Sequence, residues 1–266
     1  MGLPASEGGA PAVVFAGGGP GAALTAIALL RATTWLRLVY RIVLLDEHGR
    51  FARGRVYGSP GGDCPLEAPV KDMSALPDRP CHLLEWRRAA GAACGPGTVL
   101  ARRVYGDYLA DTLAATAAWA APHAALVTRT ARVAAVEADD AGARVLLADG
   151  GRVEAAAVVV ATGDPAEAAP PRVAGALRAG AGAEGAAGAG SHGGAGCADG
   201  AAGAGLAACR CGAVLTGSGE PARRVFAVGA VRDGGPATVP RMRDQAEALA
   251  QRIADTVLRT PPGRAG

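Results

Sequence analysis

One uncharged run near the start of the chain limits the fold more than any other feature. It reads VVFAGGGPGAALTAIALL over residues 13–30, and four glycines and a proline interrupt it at 17–21. A membrane-spanning helix needs about 20 apolar residues whose backbone groups are all paired, and glycine and proline disfavour a continuous helix. We therefore predict a strand from Val13 to Ala16, a tight turn, and a helix packed on a sheet, rather than a membrane anchor.

Composition excludes several other classes of protein. The 266 residues are 50% hydrophobic, enough for a core of one large or two small domains. The net charge of +3 and the 4% of aromatic residues provide neither a basic surface nor stacking platforms for nucleic acid. We expect neither nucleic acid nor a membrane as a partner.

Two features favour a cytoplasmic protein. Residues 1–12 contain no Lys or Arg, so the basic region that begins a secretory signal is missing. The cysteines are scattered, which favours reduced thiols over a disulfide framework. They lie at positions 64, 81, 94, 197, 209 and 211.

The remaining patterns predict an α/β fold with a parallel central sheet and an antiparallel β-meander. RIVLLDE at 41–47 is typical of a second buried strand, and the apolar strand Ala157 to Ala161 is expected to be central. Turn signals at 140–142 and 149–151 separate short strands. Amphipathic helices are predicted at 102–120 and 239–258, and a last apolar strand at 225–231.

The turn has the pattern of a dinucleotide-binding site. Gly17-x-Gly19-x-x-Ala22 lies between the predicted strand and helix, where the glycines allow a tight turn and the approach of a pyrophosphate to the helix N-terminus. Asp46, at the end of the second strand, is the candidate acceptor for an adenosine ribose, with Glu47 as the alternative. A tight turn without a ligand is the other interpretation.

Several stretches together resemble a family of bacterial FAD/NAD(P)-binding oxidoreductases, with an FAD domain of the glutathione-reductase type and a distant similarity to flavin-containing monooxygenases. Besides the glycine-rich run, the stretches ARRVYGDYLAD, VLLADGGRVEAAAVVVATGDP and VFAVGAVRDGGPATVPRMRDQAEALA are similar to family motifs. So are RIVLLDEHGRFARGRVYGS and LEAPVKDMSALPDRPCHLLEW. The resemblance implies a Rossmann-like FAD domain, with FAD rather than NAD in the first cradle.

The resemblance also implies where the cofactor would lie. The ribose would contact Asp46, the adenine region Val133, and the flavin ring Gly229 and the helix start at Val239, while Thr162 and Gly163 would approach the cofactor. Independently of the resemblance, Arg53, Arg55, Arg102 and Arg103 are candidates to bind phosphates or an acidic substrate, with solvated arginines as the other interpretation. The pyrophosphate would lie against the glycine-rich loop, formed by Gly17, Gly18, Gly19, Pro20, Gly21 and Ala22.

The chain departs from the family pattern at two places. Glu67 stands where the pattern has Asn, so a carboxylate replaces a neutral amide near the cofactor. Family members carry a second nucleotide fold, for NAD(P)H, where this chain has the low-complexity segment 166–204, so we expect that fold to be reduced or absent. The Gly203-x-Gly205-x-x-Ala208 string has no predicted strand before it, and we attribute it to composition.

The expected organisation follows from these patterns. The two parts of the FAD-binding domain span 12–165 and 205–258, between flexible ends at 1–11 and 259–266. Cys209-x-Cys211, with Cys197 and His192 upstream, fits no standard zinc spacing, and the resemblance implies that LAACRCGAVLTGSGEP forms the hairpin that the family has before its last strand. No metal site is predicted, and His48 and His82 are expected at the surface.

We therefore expect an FAD-dependent oxidoreductase that acts on a small molecule. No catalytic residue is assigned, because flavin itself carries the electrons. NAD(P)H as the donor stays open, with a partner reductase as the other source of electrons. The alternatives are a non-catalytic FAD-binding or interaction protein and an NAD(P)-dependent dehydrogenase.

Overall fold

The computed structural model describes residues 9–58, 64–176, 205–232 and 237–259. Its main sheet has six strands in the order β3-β2-β1-β7-β10-β9, and a second sheet has the order β6-β5-β4-β8. The strands are β1 (Ala12–Ala16), β2 (Tyr40–Asp46), β3 (Ala124–Thr130), β4 (Val133–Ala138), β5 (Ala143–Leu147), β6 (Arg152–Ala155), β7 (Ala157–Val160), β8 (Arg172–Val173), β9 (Ala213–Leu215) and β10 (Pro221–Ala227).

The first five strands in the order of the main sheet are parallel, and β9 pairs antiparallel with β10 at its edge. The described part of the chain has five α-helices. They are α1 (Pro20–Thr34), α2 (Gly54–Gly58), α3 (His82–Ala89), α4 (Arg102–Ala120) and α5 (Val239–Ile253).

Alternation along β1 divides the core into two layers. Val13 and Phe15 point into the cluster formed with the helices, while Ala12 and Val14 point into the cluster formed with the second sheet. Because β1 lies between β2 and β7, it is buried on both faces, which explains its run of apolar residues. The carboxyl ends of β1, β2, β7 and β10 meet at one edge of the sheet, where α/β folds bind ligands.

The predicted class is confirmed: an α/β fold with a parallel sheet and an antiparallel β-meander, β4-β5-β6. One predicted boundary was wrong. The last strand ends at Ala227 instead of continuing to 231, because Gly229 has a φ of +79° and begins a 3-10 turn. The last helix covers the predicted range, with α geometry to Ile253 and a π-helical turn over Ala254–Leu258.

Within the segment predicted to form a hairpin, an antiparallel bridge joins Ala208 to Val214, and β9 also pairs antiparallel with β10, which is the last strand itself. Most of the low-complexity segment, 177–204, lies outside the described residues, as do 1–8 and 260–266, so the proposed domain boundaries stay predictions. Among the helices that the structure describes, none has the length and apolar character needed to cross a membrane.

Candidate functional site

The glycines of the loop after β1 serve different purposes. Gly17 has a φ of +113°, and a Cβ there would lie 2.3 Å from the carbonyl oxygen of Ala161, at the end of β7. A Cβ on Gly18 would lie 2.9 Å from Cβ of Asp46. A Cβ on Gly19 would meet only Cα of Gly54, at 3.6 Å. The first two glycines are therefore required by the fold, whereas the third leaves space open beside the backbone.

Helix α1 begins directly at this loop with its N-terminus uncapped by any side chain. Gly19 is the N-cap residue, Pro20 follows, and the first turn contains no acidic residue. The free N–H groups and the helix dipole make such an end positive. Together with the open space at Gly19, this end is suited to an anionic phosphate.

Asp46 connects the loop to the turn after β2. Its Oδ2 accepts a hydrogen bond from the Gly18 N–H at 3.2 Å. Its Oδ1 accepts from the N–H groups of His48 and Arg50, both at 3.0 Å. The carboxylate thus holds the glycine-rich loop in place, and its predicted contact with a ribose stays a prediction.

A cavity of about 830 Å³ opens over this edge of the sheet. Sites for cofactors commonly have volumes of about 300–1,000 Å³. Most of the predicted cofactor ligands line it, namely Gly17, Gly18, Gly19, Pro20, Gly21, Asp46, Glu47, Val133, Thr162, Gly163 and Gly229.

Three predicted ligands have other environments. Ala22 is fully buried behind the loop, and Val239 is buried at the start of α5. The Arg53 guanidinium donates through Nε and Nη2 to one carboxylate oxygen of Asp107 on α4, at 3.0 and 2.9 Å. The arginines among the described lining residues are instead Arg55, Arg102 and Arg132.

Both histidines predicted at the surface have more specific surroundings. His48 lines the cavity, and its Nδ1 lies 3.4 Å from Oε1 of Glu47. His82 is partly buried with its Nδ1 2.9 Å from the hydroxyl of Tyr108. Burial lowers the pKa of His82, and the nearby Arg79 lowers it further. His48 is exposed in a loop, as expected, whereas His82 at the start of α3 is only partly exposed.

The cavity has two ends on either side of the glycine-rich loop. Toward β2 lie Asp46, Glu47 and Val133. The opposite end, which we call the α5 end, is lined by Tyr57, Glu67, Arg102, Thr238 and Met242. Since a dinucleotide has a pyrophosphate at its centre, a ligand held at the loop extends in both directions.

Glu67 makes the most specific contact at the α5 end. Its Oε1 accepts a hydrogen bond from the Val239 N–H at 2.7 Å, across 172 positions of sequence. Burial raises the pKa of Tyr57, and the charge of Glu67 raises it further, while Arg102 opposes the shift. The sequence identified Glu67 only as a departure from the family pattern and gave no sign of this partner.

Several features of the site fit a dinucleotide that contains phosphate. The Oγ1 of Thr162 is buried without a hydrogen-bond partner, beside the glycine-rich loop. A buried hydroxyl without a partner is costly, and a ligand oxygen would satisfy it. The open space at Gly19 and the uncapped α1 provide room and positive charge for the phosphates.

Cys209 and Cys211 lie together before β9, away from this cavity's described lining. Their Sγ atoms are 2.6 Å apart. Cys197 and His192, the other members of the group considered from the sequence, lie outside the described residues. Within the described ranges, no group of three or more metal-ligating side chains comes together.

Comparison with known proteins identifies the family. The family model described as FAD-NAD(P)-binding matches residues 14–165, more than half of the chain, and the chain belongs to this family. The match includes the glycine-rich loop, Asp46, Val133 and Thr162. No curated protein matches the sequence.

Solved structures with partial similarity include two flavoenzymes. A flavin-containing monooxygenase from Stenotrophomonas maltophilia is 27% identical, with a TM-score of 0.38, over 58% of this chain and 39% of that one. An atypical thioredoxin reductase from Desulfovibrio vulgaris Hildenborough is 17% identical, with a TM-score of 0.35, over 58% of this chain and 36% of that one. The chain thus matches less than half the length of these two structures.

Proposed function

We propose that this protein binds FAD in the cavity at the carboxyl ends of the parallel strands and acts as an FAD-dependent oxidoreductase on a small molecule. The observation that carries the proposal is the loop itself: Gly17 and Gly18 are enclosed by protein, whereas Gly19 opens on the cavity beside the uncapped α1. An open approach to the backbone at the second glycine of the fingerprint is what a pyrophosphate requires.

Each part of the cavity then has a role. Gly19 and the N-terminus of α1 hold the pyrophosphate, with the Thr162 hydroxyl as a hydrogen-bond donor to the ligand. The adenosine extends toward Glu47 and Val133. The ring extends toward the α5 end, where Tyr57 and Met242 exclude water from one side.

Bound flavin supplies the electron transfer. The chain contributes binding, orientation and the charge around the ring, and we assign no side chain as a general acid or base. Arg55 and Arg102, which line the cavity, provide positive charge for phosphates or an acidic substrate.

The electrons come from the substrate or from a partner reductase. Reduction of the flavin by NAD(P)H is slow. Within the described ranges, the strand-loop-helix cradle after β1 is the site that fits a dinucleotide. The described parts of the connection between β7 and β10 form β8, β9 and turns. The remainder, 177–204, lies outside the described residues, and its sequence contains few large apolar residues for a second sheet.

Analysis of the purified protein tests the assignment of the cofactor. We expect a flavin absorption spectrum, and chromatography of the heat-released ligand should identify FAD. If the released ligand is NAD(P), the protein is a dehydrogenase. If nothing binds after reconstitution with FAD, the proposal is wrong.

Anaerobic stopped-flow reduction tests the electron donor. We expect NADH and NADPH to bleach the flavin slowly and without saturation at low concentration. Fast, saturable bleaching by either nucleotide would contradict this part of the proposal. A flavin that dithionite reduces, but that no candidate substrate or partner reductase reduces, would favour the non-catalytic alternative.

A further inference from the structure

The carboxylate of Glu67 has no role in holding the pyrophosphate, yet it lies at the end of the cavity that the ring of a dinucleotide would reach. Its Oε1 accepts the Val239 N–H at 2.7 Å, at the start of the 15-residue helix α5. Thr238, the N-cap residue, accepts a second N–H, that of Arg241, at 3.5 Å. Two side chains of the protein therefore occupy this helix end.

We propose that Glu67 sets the charge preference of the α5 end, so that the site disfavours negative charge on the bound ring. The inference rests on the proposed binding of FAD. An uncapped helix N-terminus carries about half a positive charge and favours an anion. Here a full negative charge lies against that end, so the sum at Val239 is negative rather than positive.

The cavity strengthens this effect. In the free protein Glu67 is exposed to solvent in the cavity, where water screens its charge. A bound ring displaces that water, and charges interact more strongly as the local dielectric constant falls. Reduction of a flavin adds electrons to the ring, so a carboxylate at this place opposes reduction and lowers the reduction potential.

Arg102 lies at the same end and acts in the opposite direction. It lines the cavity, and its charge opposes that of Glu67 at the Tyr57 hydroxyl. A reduction potential measured only for the wild-type protein would therefore contain both effects. A variant that changes only Glu67 separates them, because Arg102 is retained.

The test compares Glu67→Gln with the wild-type protein, both loaded with FAD. Gln has the same length and keeps an oxygen that can accept the Val239 N–H, so only the charge changes. Glu220→Gln is the matched control, because Glu220 is exposed in the turn before β10 and is absent from the described lining of the cavity. Circular dichroism and flavin content establish that each variant is folded and loaded.

Two readouts report the charge at the ring. Sulfite adds to oxidised flavin rings and places negative charge there, so its dissociation constant is a direct probe. We expect sulfite to bind Glu67→Gln at least tenfold more tightly than wild type. The midpoint potential should rise by about 30 mV or more, since a tenfold change for a two-electron couple equals about 30 mV. Glu220→Gln should change neither value.

The outcomes separate this inference from the proposed function. If FAD binds and both readouts are unchanged in Glu67→Gln, the role of Glu67 is wrong and FAD binding stands. If no variant and no wild-type protein binds FAD, both proposals fall. Should Glu67→Gln fail to fold, Glu67→Ala removes the charge together with the hydrogen bond to Val239, and an unchanged sulfite affinity there would also overturn the inference.

Discussion

Two helices of the same length begin at the same cavity, and they differ in whether side chains cap their N-termini. Both α1 and α5 have 15 residues, and each has a proline at the first or second helical position. Gly19 caps α1 without a side chain. At α5, Thr238 accepts the N–H of Arg241, and Glu67 accepts that of Val239.

The difference shows how one fold gives two similar helix ends opposite charges. At α1 the orphan N–H groups have no side-chain cap, so they remain available to a ligand anion. At α5 the protein supplies the anion itself, in the form of Glu67. The first end is thus suited to phosphate and the second to an uncharged group.

Gly17→Ala should give the largest change, because it damages the support of the α1 end. The new Cβ would lie 2.3 Å from the Ala161 carbonyl oxygen at a φ of +113°. Backbone strain and overpacking each cost about 1–3 kcal/mol. We expect the free energy of unfolding to fall by about 3 kcal/mol or more, as measured by urea denaturation. A variant as stable as wild type would mean that the loop can move away from β7.

Gly19→Val should separate binding from stability at the same loop. Its backbone has a φ of −73°, which any residue adopts, and the nearest atom to a Cβ is Cα of Gly54 at 3.6 Å. The fold should therefore tolerate the side chain, while the pyrophosphate loses its approach. We expect FAD affinity to fall at least 100-fold, about 2.7 kcal/mol, as measured by equilibrium titration of the apoprotein.

Gly97→Val is the matched control for Gly19→Val. A Cβ there meets nothing within 4 Å, and the residue is absent from the described lining of the cavity. Its flavin affinity should equal that of wild type. If Gly19→Val keeps its flavin and its fold, the cofactor does not lie against α1, and the comparison of the two helix ends fails.

Asp46→Ala should have a smaller effect, which lowers both the free energy of unfolding and the affinity for FAD. The carboxylate accepts three backbone N–H groups, from Gly18, His48 and Arg50. Hydrogen bonds to charged groups contribute about 1.5–3 kcal/mol, and partial exposure reduces this, so we expect a loss of about 2 kcal/mol in unfolding free energy. Asp46→Asn should recover part of it, since the amide oxygen can still accept. Equal losses for both variants would contradict the role of the carboxylate as an acceptor.

Much of the α1 end could be predicted from the sequence. The fingerprint, the apolar strand before it and the acidic end of β2 are local patterns, and each depends on neighbours close in the chain. Gly17, Gly19 and Asp46 lie together as the strand-turn-helix pattern requires. The burial of β7 between β1 and β10 likewise follows from its continuous run of apolar residues.

The α5 end could not be predicted in the same way, because its contacts join distant segments. Glu67 and Val239 are 172 positions apart, and the loop that contains Glu67 has no periodic pattern that fixes its path. Arg53 and Arg102 look equivalent as loop and helix-start arginines, yet Asp107 on α4 binds the first, and the second lines the cavity. Side-chain direction in such segments is decided by tertiary packing.

Thr238→Val should give the smallest change. It measures how much each of the two N-terminal caps of α5 contributes to stability. Replacing an N-cap Thr with an apolar residue usually costs about 0.5–2 kcal/mol. Here the hydroxyl accepts the Arg241 N–H at the long distance of 3.5 Å, and Thr238 is exposed, while Glu67 still accepts the Val239 N–H. We therefore expect a loss of about 0.5 kcal/mol in unfolding free energy, at the low end of that range, with flavin affinity unchanged within threefold. Urea denaturation of Thr238→Val, Glu67→Ala and the double variant measures the coupling between the two caps, because Ala removes the acceptor that Gln would keep. A loss above about 2 kcal/mol for Thr238→Val alone would show that the hydroxyl, and not Glu67, is the principal cap of α5.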